Sequence, residues 1–248
     1  MQLESVSVLI GAVTESNVLE KTVAEILALP ERILIKEILI AYPAERVTPA
    51  CKSVLESIQN DCSHPDITIK VVAQKTPKMG FFSDLFKIAS GTHCVLFSSD
   101  GAMPVSLIEE LVKKEKEYPE AIVSSSRWLE GGSFGDYNRG KLLLNRLSQI
   151  YLRVLYHTNL TDMTNAVQIA PTQLMRCIQW EQTGFSRGME MVIKPLRLGV
   201  EIIEIPTQYT ERTEGKSNNS IFELFDYLKV SIKVRLMTKE RIIESPVA

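Results

Sequence analysis

Asp100 stands in Ser98-Ser99-Asp100-Gly101, directly after the short apolar run His93 to Ser98. A carboxylate at the end of a buried strand can hold a divalent cation. Magnesium takes only one or two protein carboxylates when phosphate oxygens and water complete its octahedron. Such an ion would neutralise a departing diphosphate, whose charge grows in the transition state. The alternative is that Asp100 caps a helix beginning near Pro104, with proline in the first turn. Basic residues follow: Arg127 just past a strand, Arg139 and Arg146 around the next helix, and Arg212 with Lys216 in a late polar segment. Guanidinium forks grip phosphate oxygens through paired hydrogen bonds, although each of these residues equally suits a solvated surface. Asp162 and Glu190 are carboxylates able to take a proton from an acceptor hydroxyl. Asp162, in Thr161-Asp162-Met163-Thr164, equally suits a turn, and Glu190 equally suits an ion pair with a surface base.

These residues need elements to position them. Ser5 to Ala12, Glu37 to Tyr42, Ile67 to Ala73, His93 to Ser98 and Ala121 to Ser125 are short, rich in Val and Ile, and nearly continuous. That texture predicts parallel strands covered on both faces. Between them, Asn17 to Leu29, Pro49 to Gln59, Phe81 to Ala89 and Val105 to Glu117 have helical spacing with Pro or Gly punctuation. Repeated strand-helix-strand units imply a mostly parallel α/β sheet with right-handed crossovers and ligands beyond its carboxyl edge. The second half predicts a polar, Gly-rich loop from Leu129 to Asn138 and a long helix from Lys141 to His157. After these come a strand from Ala166 to Ala170, a helix from Gly188 to Leu198, and a strand from Val200 to Ile205. Thr210 to Ser220 reads as a loop. Ile221 to Met237 reads as an amphipathic helix with Glu223, Asp226, Lys229 and Lys233 on one side. With no repeat or linker, residues 1–220 form one domain, and 221–248 form a helix and tail of the same unit.

Composition narrows the function classes. In 248 residues, 28 basic and 30 acidic side chains give a formal charge of −2, so no positive field points to nucleic acid. Cys51, Cys62, Cys94 and Cys177 form no Cys-x-x-Cys pair, and His64, His93 and His157 lie far apart, so reduced thiols are expected rather than zinc or disulfides. The start, Met-Gln-Leu-Glu-Ser, has no basic region leading into an apolar run, and no uncharged apolar run approaches a bilayer span. A cytoplasmic location is expected, with the inner face of a membrane as a peripheral alternative. The final helix should dock on its own domain or on a second subunit, or lie on a membrane surface.

Read in order, several segments resemble the family 2 inverting glycosyltransferases, in particular their dolichyl- and polyprenyl-phosphate branch. Ser5 to Ile10 followed by Gly11-Ala12-Val13-Thr14-Glu15 is similar to that family's opening strand and Pro-Ala-Tyr-Asn-Glu loop. Val95 to Asp100 resembles the strand bearing its Asp-x-Asp motif, and Ser126-Arg127 matches the Ser-Arg after the next strand. Asp162-Met163-Thr164-Asn165-Ala166 resembles Asp-x-Thr-Ser-Gly. Phe185 to Gly199, Ile203-Glu204-Ile205-Pro206 and Arg212 to Ser217 resemble the closing segments. The likeness spans about Ser5 to Ser217. It implies a GT-A fold, a nucleoside-diphosphate sugar donor, Mg2+ or Mn2+, a lipid-phosphate or saccharide acceptor, and inversion at the anomeric carbon. By the same resemblance Val13, Glu15, Tyr42, Ser98, Ser99, Asp100, Arg127, Arg212 and Lys216 line the nucleotide-sugar. Asp100 holds the metal, and Asp162, Glu190 and Arg127 serve catalysis.

The departures carry their own implications. Ser98 replaces the first metal-motif Asp, Tyr42-Pro43-Ala44-Glu45 replaces the nucleoside-holding Asp-Asp-Gly-Ser, and Val13-Thr14 and Asn165-Ala166 replace Tyr-Asn and Ser-Gly. Tyr42 can substitute aromatic stacking for a hydrogen bond to the base. Weaker metal affinity and a changed base preference follow. A catalytically impaired nucleotide-sugar-binding protein of the same fold is therefore the competing expectation. No Gly-x-Gly-x-x-Gly follows the opening strand, which sets a dinucleotide oxidoreductase aside.

Overall fold

The computed structural model describes residues 2–30, 34–61, 64–74, 81–182, 186–210 and 221–243. Its centre is one seven-stranded sheet in the order β3-β2-β1-β4-β6-β5-β7. The strands are β1 Val6–Gly11, β2 Ile35–Tyr42, β3 Thr68–Ala73, β4 His93–Ser98, β5 Ile122–Ser126, β6 Gln168–Pro171 and β7 Ile202–Pro206. Every pairing is parallel except those of β6, which runs antiparallel to both β4 and β5. The sequence predicts a strand there without giving its direction. The chain entering β6 is already tied to the carboxyl end of its neighbour β5: Thr161 Oγ1 meets Ser126 Oγ at 2.6 Å, and Asn165 Nδ2 donates to Ser125 Oγ at 2.8 Å. A strand leaving that edge can only run the other way.

The helices are α1 Asn17–Leu27, α2 Pro49–Asn60, α3 Phe81–Ile88, α4 Leu107–Glu117, α5 Arg139–Tyr156, α6 Thr172–Cys177, α7 Ser186–Leu198, α8 Ile221–Leu236 and α9 Lys239–Ile242. Local chemistry sets several boundaries. Thr48 accepts from the Cys51 N–H ahead of Pro49 at the first turn of α2, and Asn138 accepts from Gly140 N and Lys141 N at the start of α5. Helix α5 stops where His157 turns left-handed, with φ 52°. The short α6 and α9 were missed because one or two turns carry no readable apolar period. Among the described residues Cys51, Cys94 and Cys177 form no disulfide, and the first two are buried.

Apolar clusters cover both sheet faces. Val8, Ile10, Ile38 and Val95 pack against Leu19 and Val23 of α1, Leu55 of α2 and Leu111 of α4. On the opposite face Leu9, Leu39 and Leu96 meet Leu85 and Phe86 of α3, Met175 of α6 and Met191 of α7. A third cluster joins Leu152 and Tyr156 of α5 to Val192 and Ile193 of α7 and to Val230 and Val234 of α8. The closing helix thus docks on its own chain.

One buried pair gives the stability a pH dependence. His93 Nε2 lies 2.9 Å from the Pro119 carbonyl and 3.4 Å from Glu115 Oε1, and both side chains are fully buried. Burial pushes the Glu115 carboxyl up to about 9, with the Val123 N–H pulling the other way, so it is neutral at pH 7. Because the folded value exceeds the unfolded one, this stabilisation is complete below the ordinary carboxyl range and is lost as pH rises towards 9. Glu115→Gln should therefore flatten the decline in urea midpoint between about pH 5 and about pH 9. Parallel pH curves for variant and parent would rule out this assignment.

Candidate functional site

The carboxyl ends of β1, β2, β4, β5 and β7 and the entry to β6 share one edge of the sheet. At its centre Ser99 Oγ donates to the Gly11 carbonyl at 2.7 Å, stitching the end of β4 to that of β1. Asp100 is 7% exposed. Its Oδ1 accepts from Ser98 Oγ at 2.6 Å and from the Ala102 N–H at 3.1 Å. It thereby closes a turn through Gly101, whose φ is 72°. Helix α4 starts only at Leu107, so Asp100 caps this turn rather than the helix. Thr210 seals the turn by donating from its N–H to the Ala102 carbonyl and from its hydroxyl to the Gly101 carbonyl.

No group of three His, Cys, Asp or Glu side chains comes together among the described residues to hold a metal. Ser98 adds a hydroxyl beside Asp100 where a second charge would be needed for a protein-built site. This donor set fits Mg2+ or Mn2+ as an ion that arrives with phosphate oxygens, which then supply much of the octahedron.

Beside this corner the loop after β1 is folded on itself. The N–H groups of Val13 and Thr14 both donate to Glu15 Oε2, at 2.8 and 2.9 Å, and the Thr48 N–H donates to the Val13 carbonyl. Tyr42 is half-buried at the end of β2. Arg187, at the start of α7, was not singled out from sequence. Burial pulls its guanidinium down to about 10, with Glu190 opposing the shift and Arg46, beyond β2, adding to it. The Arg187 guanidinium lies over the Phe82 ring at 5.3 Å.

Arg127 and Asp162 come together, but on each other. Arg127 Nε donates to Asp162 Oδ2 at 2.7 Å and Nη2 donates to Oδ1 at 2.9 Å, a bidentate fork. The Arg127 N–H adds a third bond to Oδ2, and Thr164 Oγ1 donates to Oδ1. The Asp162 side chain is fully buried and that of Arg127 is 11% exposed. Burial pushes the Asp162 carboxyl up, yet the charge and hydrogen bonds of Arg127, helped by Thr164, outweigh it and hold the group below its ordinary range. Glu204 of β7 braces the same loop, accepting from Thr161 N, Thr161 Oγ1 and Asp162 N at 2.7 to 2.9 Å. Asn145 and Gln149, one turn apart on α5, both donate to Thr164 Oγ1. Their spacing of four residues marks one helix face, the signal that was available in the sequence.

The segment predicted as a polar loop carries an aromatic wall. Trp128 and Phe134 have ring centroids 4.6 Å apart, Phe134 and Tyr137 5.6 Å, and Tyr137 and Tyr209 5.7 Å. Arg127 lies over the Phe134 ring and Arg146 over Trp128, each at 4.7 Å. Gly132 permits the closeness, since a Cβ there would come within 2.8 Å of the Arg127 backbone. Arg139 is exposed at the first turn of α5, and Arg212 and Lys216 lie outside the described residues.

Glu190 is enclosed. Fully buried on α7, it pairs with Lys194 at 2.7 Å and accepts from the N–H groups of Glu181 and Gln182. Lys194, equally buried, also donates to the Gln179 carbonyl.

Residues 7–177 match the model of the family described as glycosyl transferase family 2. A stretch of 102 residues is 28% identical to an undecaprenyl-phosphate mannosyltransferase of Micrococcus luteus, covering 40% of this chain and 42% of that protein. The chain thus spans less than half the length of that curated relative. Glucosyl-3-phosphoglycerate synthase from Mycobacterium tuberculosis, solved with Mn2+, UDP and phosphoglyceric acid, superposes with a TM-score of 0.67 at 16% identity. That match covers 94% of this chain and 78% of the other. The same enzyme solved with Mg2+ and UDP gives 0.66 at 17% identity, over 98% and 81% of the two chains. These likenesses carry the GT-A fold, and the match across residues 7–177 makes the chain a member of glycosyl transferase family 2.

Proposed function

We propose that this transferase moves a sugar from a nucleoside-diphosphate sugar to a lipid phosphate, with inversion at the anomeric carbon. The observation that carries the choice of acceptor is the bidentate lock between Arg127 and Asp162. A carboxylate held below its usual range by an arginine is a weak base. A hydroxyl acceptor requires a proton to be taken; a phosphate acceptor is already anionic. The enclosure of Glu190 by Lys194 argues the same way. The relative in Micrococcus luteus, named for an undecaprenyl-phosphate substrate, is consistent with this reading.

In it, Asp100 holds Mg2+ or Mn2+ together with the donor's phosphates, and that ion supplies charge neutralisation of the leaving diphosphate. Tyr42 stacks on the base, the Val13–Glu15 loop and Ser98–Ser99 border the nucleotide, and Arg212 and Lys216 bind the phosphates. Arg127 and Asp162 position the acceptor side of the site, and Ser126 and Glu204 hold them there.

The test is transfer of labelled sugar from UDP- and GDP-sugars to a short polyprenyl phosphate, with a saccharide acceptor in parallel. Transfer to the phosphate alone is expected. Asp100→Asn should weaken manganese-dependent UDP or GDP binding by about tenfold, the size of one lost charge-assisted contact. Transfer only to the saccharide would overturn the acceptor assignment, and nucleotide binding indifferent to metal would overturn the role of Asp100. One observation favours a second reading, an impaired nucleotide-sugar-binding protein: Ser98 stands where a second carboxylate would strengthen the metal site. Nucleotide binding without transfer or donor hydrolysis would select it.

A further inference from the structure

Helix α5 has two occupied sides and an apolar third. Its inner face buries Gln149, Leu152 and Tyr156, and its flank meets α8, where Tyr151 Oη approaches Ser231 Oγ at 3.1 Å and Arg235 Nε donates to the Leu155 carbonyl. On the outer face Leu143, Leu147, Ile150 and Val154 recur at helical spacing and are 48–70% exposed. Helix α8 does the same: Phe225, Leu228, Ile232 and Leu236 are 36–78% exposed and form one stripe on the side away from Val230 and Val234. The two stripes lie on either side of the α5–α8 seam and make one apolar surface.

Its charge identifies what covers it. Arg139, Arg146 and Arg153 stand seven residues apart, so they form a line alongside the α5 stripe, and α5 contains no acidic residue. Lys229 and Lys233 flank the α8 stripe, Lys233 being engaged by Glu181 at 2.8 Å, while Asp226 is turned to Ser186 Oγ. An apolar band with cations along its margins matches the boundary between anionic headgroups and acyl chains. A second copy docked face to face would bring cationic margins, arginine against arginine or arginine against lysine, towards each other. The same helix holds Thr164 beside Arg127 and Asp162 from its inner side, through Asn145 and Gln149.

We infer that the outer face of α5 and α8 seats this protein on an anionic bilayer, which places the site one helix diameter, about 10 Å, from the lipid surface. This deepens the proposed function, since a lipid-phosphate acceptor would be met at that surface without leaving the membrane, and it can fail independently of it. Flotation of the full chain is read with vesicles of equal parts phosphatidylglycerol and phosphatidylcholine, against phosphatidylcholine alone, without donor or acceptor. Binding to the anionic vesicles is expected, weakened in high salt. Leu147→Glu/Ile232→Glu should reduce it at least about tenfold and Arg153→Glu several-fold. The lipid and salt comparisons on the parent chain keep the test decisive if the paired variant folds poorly. Equal binding to neutral vesicles, no binding to anionic ones, or a dimer in light scattering that the paired variant dissociates would overturn the inference. Nucleotide titration of the same sample reads the proposed function separately: intact nucleotide binding without flotation defeats only the membrane face.

Discussion

Replacing Asp162 with asparagine should cost about 3 to 5 kcal/mol of folding stability and lower the midpoint of thermal unfolding by on the order of 10 °C. The loss comes less from the missing attraction than from what remains. Arg127 would keep its charge in a site with only 11% side-chain exposure, facing an amide that donates where the carboxylate accepted. The pH dependence has a definite sign. A carboxyl whose folded pKa is depressed stabilises the fold above its unfolded value of 3.8, and loses that contribution as pH falls through the folded value. Parent and variant should therefore converge in acid. Arg127→Met/Asp162→Leu, which removes both charges, should be markedly less damaging than either single change, and a double-mutant cycle measures the difference. Additive single effects would mean that the fork contributes nothing as a pair.

Lys194→Met is expected to have the second large effect, again about 3 to 5 kcal/mol, read from denaturant midpoints. Glu190, completely buried, would keep its two backbone donors but lose the ion-pair partner that sits at 2.7 Å. Glu190→Gln should be milder, because Lys194 keeps the Gln179 carbonyl and the Glu181 carboxylate at 3.4 Å. The asymmetry distinguishes a structural pair from a catalytic carboxylate. A reactive Glu190 would lose turnover in Glu190→Gln at unchanged stability, whereas a structural one would lose activity only in step with the folded fraction.

The parallel half of the sheet was legible because β1, β2 and β4 are nearly continuous buried apolar runs, and helices of eight or more residues leave an amphipathic period; β3, read as equally buried, is instead an edge strand with exposed Thr68, Lys70 and Ala73. His93–Ser98 appears with the ends read from the sequence. The reversal of β6 was not legible. Gln-Ile-Ala-Pro has the same apolar character in either direction, and its sense is fixed by hydrogen bonds from Thr161 and Asn165 to β5. Residue types likewise indicated which groups carry charge but not which of them satisfy each other. Arg127 and Asp162 are 35 positions apart, and only the fold makes them partners rather than separate hands for substrate. The aromatic wall was hidden for a related reason: Trp128, Phe134, Tyr137 and Tyr209 come from two segments, and the glycines between them read as slack rather than as room for close approach.

The central position of β6 has a bearing on synthesis. Strands β1 to β4 can pair as the chain emerges, but β4 then presents an open edge until residues 168–171 arrive to fill it. An uncovered strand of Cys94, Val95 and Leu96 is adhesive towards other chains. Nascent or truncated products ending before Gln168 should therefore be the aggregation-prone species, and the second half of the polypeptide protects the first.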